Sequence, residues 1–341
     1  MIKAAIVGMG WWGRTLVEAV AGSGQDIRFV AGATRTQTPE VQDFALAQGL
    51  ELKASFDELL AMPNVDAVVL ATPHSLHVPQ IVAAAKAGKH VFCEKPLALT
   101  RADAESALGA VRKAGVTLGL GYNRRFHPTM TDLRERVRAG KLGTMLHFEG
   151  TMTFPNALLL KPTQWRASRA ETPCGGLTPM GVHIVDAAID LFGEVDEVYC
   201  MSLHRAVQID ADDTTSILFR MKNGMSGYLG TMTATGGSFR LQVYGSEGWL
   251  RVNGITHIAG ASSEERRTKL FGDCTFQPAK GAGQTWQAEA FDTSRAALVA
   301  FGKAAAGGPA YPLPLEQMLH GAAVTEAIVK SAGSRRAEKV V

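Results

Sequence analysis

Only four cysteines occur among the 341 residues, at positions 93, 174, 200 and 274, and no two stand in a C-x-x-C spacing. That scatter suits reduced thiols and speaks against a disulfide frame or a zinc site. Long apolar runs are also missing. The stretch Ala157–Leu160 is far too short to span a bilayer, so no membrane partner is expected. The formal net charge is only +3, with no long basic run, so nothing in the charge suggests nucleic-acid binding. The nine histidines are dispersed without an H-E-x-x-H or a tight Cys/His group, and no metal is expected. No Ser-His-Asp elbow is present. The opening Met-Ile-Lys-Ala-Ala-Ile-Val-Gly lacks the charged start, apolar stretch and cleavage site of a signal peptide, which makes the cytoplasm the expected compartment. No internal repeat or low-complexity segment is found.

What is there is a chain that is 46% hydrophobic, enough for a sizeable core, and long enough for two domains. Short apolar runs read as strands at Ala4–Val7, Ile27–Ala33, Ala67–Ala71, His90–Cys93 and Thr117–Leu120. Helical stretches alternate with them at Gly13–Ala21, Val41–Ala47, Phe56–Ala61, Val78–Ala87 and Ala102–Ala114. Continuous apolar strands separated by helices predict a doubly wound parallel α/β sheet over residues 1–123. The pattern then changes. A helix near Thr129–Ala139 leads to strands at Leu146–Thr153, Val195–His204, Ser216–Met221, Ser226–Met232, Arg240–Tyr244 and Trp249–Val252, with a helix at Gly181–Leu191 among them. Asn223-Gly224 is a hairpin signal. Strands in succession predict an α+β domain over 124–341 with a large, open, mostly antiparallel sheet. Ala259–Gly283 reads as loops around edge strands. Helices near Thr285–Ala306 and Leu315–Ala332 close the chain.

Gly8-Met9-Gly10-Trp11-Trp12-Gly13 matches G-x-G-x-x-G, directly after the first strand and opening the first helix. In that context Gly8 permits the turn, Gly10 lets the backbone approach a pyrophosphate and Gly13 lets helix and strand pack closely. A dinucleotide is therefore the expected cofactor. Trp11 and Trp12 would wedge beside that loop or line a pocket. At the end of the second strand an acidic residue would hold ribose hydroxyls and select NAD. The chain reads Thr34-Arg35-Thr36 there instead. Arg35 suits a 2′-phosphate, so NADP is the preferred expectation and NAD the other. A solvated surface arginine is the bland alternative.

Further motifs, in order and spacing, carry a family resemblance. They are Ala71-Thr72-Pro73-His74-Ser75-Leu76-His77, Glu94-Lys95-Pro96, Gly121-Tyr122-Asn123-Arg124-Arg125-Phe126, Trp165-Arg166, Gly175-Gly176-Leu177 through Gly181-Val182-His183 and Asp186, and Tyr244-Gly245-Ser246-Glu247-Gly248. With the glycine fingerprint, they make the chain resemble the glucose–fructose oxidoreductase/inositol dehydrogenase (Gfo/Idh/MocA) family over nearly its whole length. The resemblance implies a Rossmann domain, an α/β domain on a large open sheet, catalysis in the cleft between them, and a homodimer or homotetramer formed through the second sheet. It assigns Lys95 to the cofactor and substrate hydroxyl and makes His183 the catalytic histidine. It places Thr72, Pro73, His77 and Glu94 near the cofactor.

Residue chemistry fits those roles. Lys95 lies at the carboxyl end of a parallel strand, where such sheets bind ligands, and Pro96 keeps it extended. A cationic neighbour such as oxidised nicotinamide would help it accept a proton. Thr178-Pro179 reads as an N-cap and first helical residue. His183 would then sit in the early turns of its helix, where a neutral imidazole is favoured. Asp186 could orient that imidazole or face solvent. Arg125 and Arg166 could grip a substrate carboxylate or bond backbone carbonyls. Trp165 is a packing anchor or a pocket wall, and Asn123 a substrate contact. His77 could equally be an ordinary helix-start histidine. One departure stands out. Sugar and polyol members often carry Asp four residues before the histidine, and here that position is Pro179. It offers no polar side chain, which opens the way to a less usual substrate such as an aromatic dihydrodiol or a carboxylated ring. The leading expectation is an enzyme, an NAD(P)-dependent dehydrogenase or reductase acting on a CH–OH group of a small molecule. A cofactor-binding regulatory protein and a redox-assisted lyase or glycosidase are the alternatives.

Overall fold

A computed structural model of the chain describes residues 1–22, 24, 26–255 and 261–341. They divide into two units. The first holds Met1–Asn123 with Asp292–Leu319, and the second holds Arg124–Phe291 with His320–Val341.

The first unit follows from its apolar strands. β1 (Ile2–Val7) is followed by α1 (Trp11–Val20), β2 (Ile27–Ala33), α2 (Pro39–Ala47), β3 (Glu51–Lys53), α3 (Phe56–Ala61), β4 (Ala67–Leu70), α4 (His74–Lys86), β5 (His90–Cys93), α5 (Arg101–Ala114) and β6 (Leu118–Leu120). The six strands form one parallel sheet in the order β3-β2-β1-β4-β5-β6. The order reverses at β1, which places the switch point between β1 and β4. All four residues of β4 are buried, as a strand covered on both faces requires. Polar caps start the helices. Thr38, Ser55 and Thr100 accept backbone N–H groups from Val41, Glu58 and Asp103. The short strand β3 has no apolar signature and is absent from the sequence reading.

The second unit begins with α6 (Pro128–Arg138) and β7 (Met145–Thr153). α7 (Val182–Phe192), β8 (Val195–Leu203), β9 (Thr214–Met221), β10 (Ser226–Met232), β11 (Ser238–Gly245) and β12 (Gly248–Gly254) follow, then α8 (Ser263–Thr268), β13 (Phe271–Pro278) and β14 (Gln284–Gln287). α9 (Thr293–Ala305) and the start of α10 (Leu315–Ser334) lie in the first unit, and β15 (Glu338–Lys339) ends the second. Nine strands form one sheet in the order β14-β13-β12-β11-β7-β10-β9-β8-β15. Among the described residues of this sheet only the β7–β10 pair is parallel, so the mostly antiparallel expectation holds. The β9–β10 turn carries Gly224 at φ +90°, a value that favours glycine, and Asn223 Oδ1 accepts from Met225 N at 3.1 Å. Phe148 of β7 is fully buried against Phe192 of α7 and Phe219 of β9, with ring centroids 5.8 and 5.5 Å away. α7 therefore covers the inner face of the sheet.

Three expectations are corrected. The second unit is not the continuous stretch 124–341, because Asp292–Leu319 returns to the first unit. There Arg295 donates to Ala19 O at 2.6 Å, Phe301 meets Phe92 edge-on at 5.7 Å, and Tyr311 donates to Leu120 O at 2.9 Å. The stretch 261–283, read as loops around edge strands, holds a helix as well as strand. Ser262 and Glu265 form a capping box that opens α8, and β13 pairs with β12 and β14. Ala259 and Gly260 lie outside the described residues. The expected helix at Thr285–Ala306 is two elements. Gln284–Gln287 is strand, and the helix starts at Thr293, where Asp292 accepts from Arg295 N at 2.9 Å.

Candidate functional site

The carboxyl edge of the first unit's sheet gathers most of the expected cofactor residues: the glycine turn after β1, Thr34 and Arg35 after β2, Thr72 and Pro73 after β4, and Glu94 and Lys95 after β5. Gly8 has φ +90°, and a Cβ there would lie 2.5 Å from Ala71 O, so only glycine fits the turn. A Cβ on Gly13 would overlap the carbonyl oxygen of Gly8, which fixes how closely α1 approaches β1. A Cβ on Gly10 meets nothing within 4 Å. The open space therefore lies at the one glycine whose backbone should face a ligand. Gly10 is also the N-cap of α1 with no side-chain cap, and the first turn carries no acidic residue. A positive helix end without a side-chain cap, beside a cradle that a side chain would fill, fits the pyrophosphate of a dinucleotide.

Trp11 is 55% exposed, and its ring lies 5.3 Å from that of Trp12. The Trp12 indole Nε1 is buried with no hydrogen-bond partner in the structure. Thr34 is half-buried and Arg35 exposed. Among the described residues no carboxylate pairs with Arg35. Thr72 donates its hydroxyl to Gln80 Oε1 at 2.6 Å, a partner that no sequence motif singled out. Glu94 is buried, with its carboxylate packed on Gly121, while Lys95 is half-buried. His77 is fully buried, and its two ring nitrogens lie against Pro96 O and Thr72 O. Asn123 donates to the hydroxyls of Thr293 and Ser294 at 3.1 and 3.3 Å, which ties the end of the β6 segment to α9.

In the second unit, His183 is half-buried in α7. The reading of Thr178 as an N-cap is corrected, because Leu177–Gly181 forms a π-helical turn that runs directly into α7. Thr178 Oγ1 is buried within that turn without a hydrogen-bond partner. His183 therefore stands further from the free helix end than the sequence suggested, since helical backbone begins at Leu177.

Arg125, a candidate for gripping a substrate carboxylate, is committed inside the unit. It is 6% exposed, with Nε 3.2 Å and Nη2 2.6 Å from the two oxygens of Asp186, and Nη1 3.3 Å from Asp190. Arg134 donates to the same Asp190 at 2.7 Å. Asp186 thus does not face solvent. Its partner is Arg125. Burial pushes its carboxyl up to about 6, against the downward pull of that guanidinium. Asp190 and Arg134 escaped the sequence reading, although Asp186 and Asp190 stand at the i, i+4 spacing that shares a helix face. Arg124, half-buried, lies over the Phe239 ring with its guanidinium carbon 4.6 Å from the centroid, and burial lowers it to about 10. His183, Asp186, Arg124 and Arg125 line a cavity of about 10 Å³, room for roughly one water molecule. Trp165 is half-buried and Arg166 exposed, with the guanidinium carbon 4.0 Å from the Trp165 ring centroid.

Residues 2–122 match the family described as "Oxidoreductase family, NAD-binding Rossmann fold", and residues 130–251 match "GFO/IDH/MocA C-terminal domain". Among curated relatives, myo-inositol 2-dehydrogenase of Thermotoga maritima is 30% identical over 222 residues, 61% of this chain and 63% of the relative. Trans-1,2-dihydrobenzene-1,2-diol dehydrogenase of Mus musculus is 30% identical over 173 residues, 51% of this chain and 50% of the relative. The matched stretch thus spans between half and two thirds of these relatives. The solved aldose-aldose oxidoreductase of Caulobacter crescentus superposes with a TM-score of 0.84 at 26% identity, covering 99% of each chain. With both family models matched in chain order and a glycine turn at Gly8–Gly13 that suits a pyrophosphate, the chain belongs to the Gfo/Idh/MocA family of oxidoreductases.

Proposed function

We propose that the protein is a dehydrogenase or reductase that uses NADP(H) in preference to NAD(H) and acts on the CH–OH or carbonyl carbon of a small sugar, polyol or derivative. The observation that carries this reading is the placement of Lys95 on the same sheet edge as the open cradle at Gly10. When bound, the nicotinamide supplies the acceptor or donor of a hydride. The chain's own residues do the rest. The α1 amino terminus and Gly10 backbone hold the pyrophosphate, and Arg35 pairs with a 2′-phosphate. Thr72, Pro73 and Glu94 shape the rim of the cradle. The Lys95 amine orients the substrate hydroxyl, and the His183 imidazole takes or returns its proton. Asn123, Trp165 and Arg166 stay candidates for substrate contacts, the last two as a stacked pair.

The names of the inositol and aldose relatives support a polyhydroxylated substrate. A second reading, an aromatic dihydrodiol or carboxylated ring, draws on Pro179 and on the dihydrodiol dehydrogenase relative. Proline removes the carboxylate that would bind an additional hydroxyl, so a less hydroxylated ring loses nothing there. We also place the protein in the cytoplasm as a homodimer or homotetramer. Tyr199, Met201 and Leu203 of β8 and Leu218 of β9 support the oligomer, since they expose an apolar strip on one sheet face.

The test is a substrate panel of sugars, polyols, dihydrodiols and hydroxy acids, followed by nicotinamide absorbance with both cofactors in both directions. Lys95→Met should cut turnover at least a hundredfold while leaving the melting temperature in place. Turnover that survives in this variant removes Lys95 from the chemistry. Calorimetry showing no affinity for either nucleotide removes the whole reading.

A further inference from the structure

Two loops carry the functional groups at the edge of the first sheet. One follows β4 and holds Thr72, and the other follows β5 and holds Lys95-Pro96. Loops place such groups only as well as something braces them, and a displacement of about 1 Å can cost roughly a hundredfold in rate. Here one side chain lies against both. His77 projects from the first turns of α4 and is 0% exposed. Its Nδ1 lies 2.7 Å from Pro96 O, and its Nε2 lies 3.1 Å from Thr72 O. Carbonyl oxygens only accept, so the ring is the donor, and the shorter contact assigns an N–H to Nδ1. Pro96 has no N–H of its own, so the carbonyl is the only backbone hydrogen-bonding group through which this residue can be held. Both ring nitrogens are turned to main-chain oxygens, one from each loop.

We infer that His77 is a positioning residue that sets the Lys95 side chain by holding the Pro96 carbonyl from Nδ1. This rests on the catalytic role proposed above for Lys95. An asparagine at 77 keeps a donor near the Nδ1 position, and a glutamine keeps one near Nε2. The two amides therefore separate the hydrogen bond to Pro96 O from the Nε2 contact with Thr72 O.

The experiment compares wild type with His77→Asn, His77→Gln and His77→Ala. The His77→Gln and His77→Ala variants should lose about 10- to 100-fold in kcat, with KM and nucleotide Kd within about threefold of wild type, and His77→Asn should recover most of the loss. A second readout uses the nucleotide-free protein. Competitive acetylation, read by mass spectrometry with Lys113 as internal reference, should give matching Lys95 reactivity in wild type and His77→Asn. Lys95 should react several-fold faster in the other two variants. If the alanine variant fails to fold, the two amides still decide. Identical Lys95 reactivity in all folded variants overturns the inference. So does an asparagine variant as impaired as the glutamine, or a loss confined to nucleotide affinity. A wild type that binds no nucleotide defeats the proposed function instead, while the acetylation result still decides the brace.

Discussion

Arg125 shows how a single side chain can be read correctly as important and wrongly as to its partner. The sequence reading offers it a substrate carboxylate or backbone carbonyls. The structure gives its guanidinium to Asp186 and Asp190, all three side chains being at most 7% exposed. A buried pair of this kind is a weak source of net stability, but breaking it is costly because the remaining charge stays desolvated. Arg125→Met should therefore lower unfolding stability by about 3–5 kcal/mol, measured by urea denaturation at pH 7. A change below about 1 kcal/mol would mean that Asp186 has found another partner or shed its charge. Nothing in the spacing of Arg125, Asp186 and Asp190 announces this cluster, since 61 residues separate the arginine from its first partner. Only the tertiary fold brings them together. The glycine fingerprint was legible for the opposite reason: Gly8, Gly10 and Gly13 act within one turn, so their spacing carries their geometry.

Among the elements, α6 couples structure to pH. His127 is its N-cap, and its Nδ1 accepts from Thr129 N at 3.1 Å. The ring packs edge-on against Phe271 at 4.7 Å and Phe291 at 5.8 Å. Burial is the main reason that the imidazole is lowered to about 4. The unfolded chain binds a proton on this histidine below about 6.5, while the folded chain declines it until about 4. The contribution is thus complete above pH 6.5 and is lost as pH falls toward 4. Asp186 acts with the opposite sign, because its raised carboxyl favours the folded state below about 6. His127→Asn keeps a capping side chain but removes the titration. Its urea midpoint should drop less between pH 7 and pH 5 than that of wild type, and parallel drops would exclude His127 as a source. Element type was readable wherever apolar period and caps agreed, as in β4 and α5. It failed where the signal was short or mixed. β3 has three residues, and the Ser262–Glu265 capping box lay inside a stretch whose glycines dominated the reading. The π-helical turn before α7 has no sequence mark beyond Pro179, which by itself reads as a helix start.

On the scale of the whole molecule, the nine-stranded sheet leaves an apolar strip exposed on one face. Tyr199 and Leu218 lie directly opposite each other on adjacent strands and are 41% and 54% exposed. Burying such a strip against a second copy would stabilise by about 25 cal/mol for each Å² of apolar area covered. For the proposed homo-oligomer, Leu218→Glu should therefore move the sedimentation coefficient toward that of a monomer, with the far-ultraviolet circular dichroism unchanged. An unaltered assembly would place the contact elsewhere. The two architectures themselves were legible because strand–helix alternation and uninterrupted strands each have their own pattern.

The detour of the chain through Asp292–Leu319 has a consequence for biosynthesis. During translation the first 123 residues leave the ribosome long before α9 exists, so Phe92 and the Leu120 carbonyl emerge without Phe301 and Tyr311. The nucleotide-binding half can be completed only after residues 124–291 have been made. Until then Phe92 and the Leu120 carbonyl lack the partners that the later segment brings them.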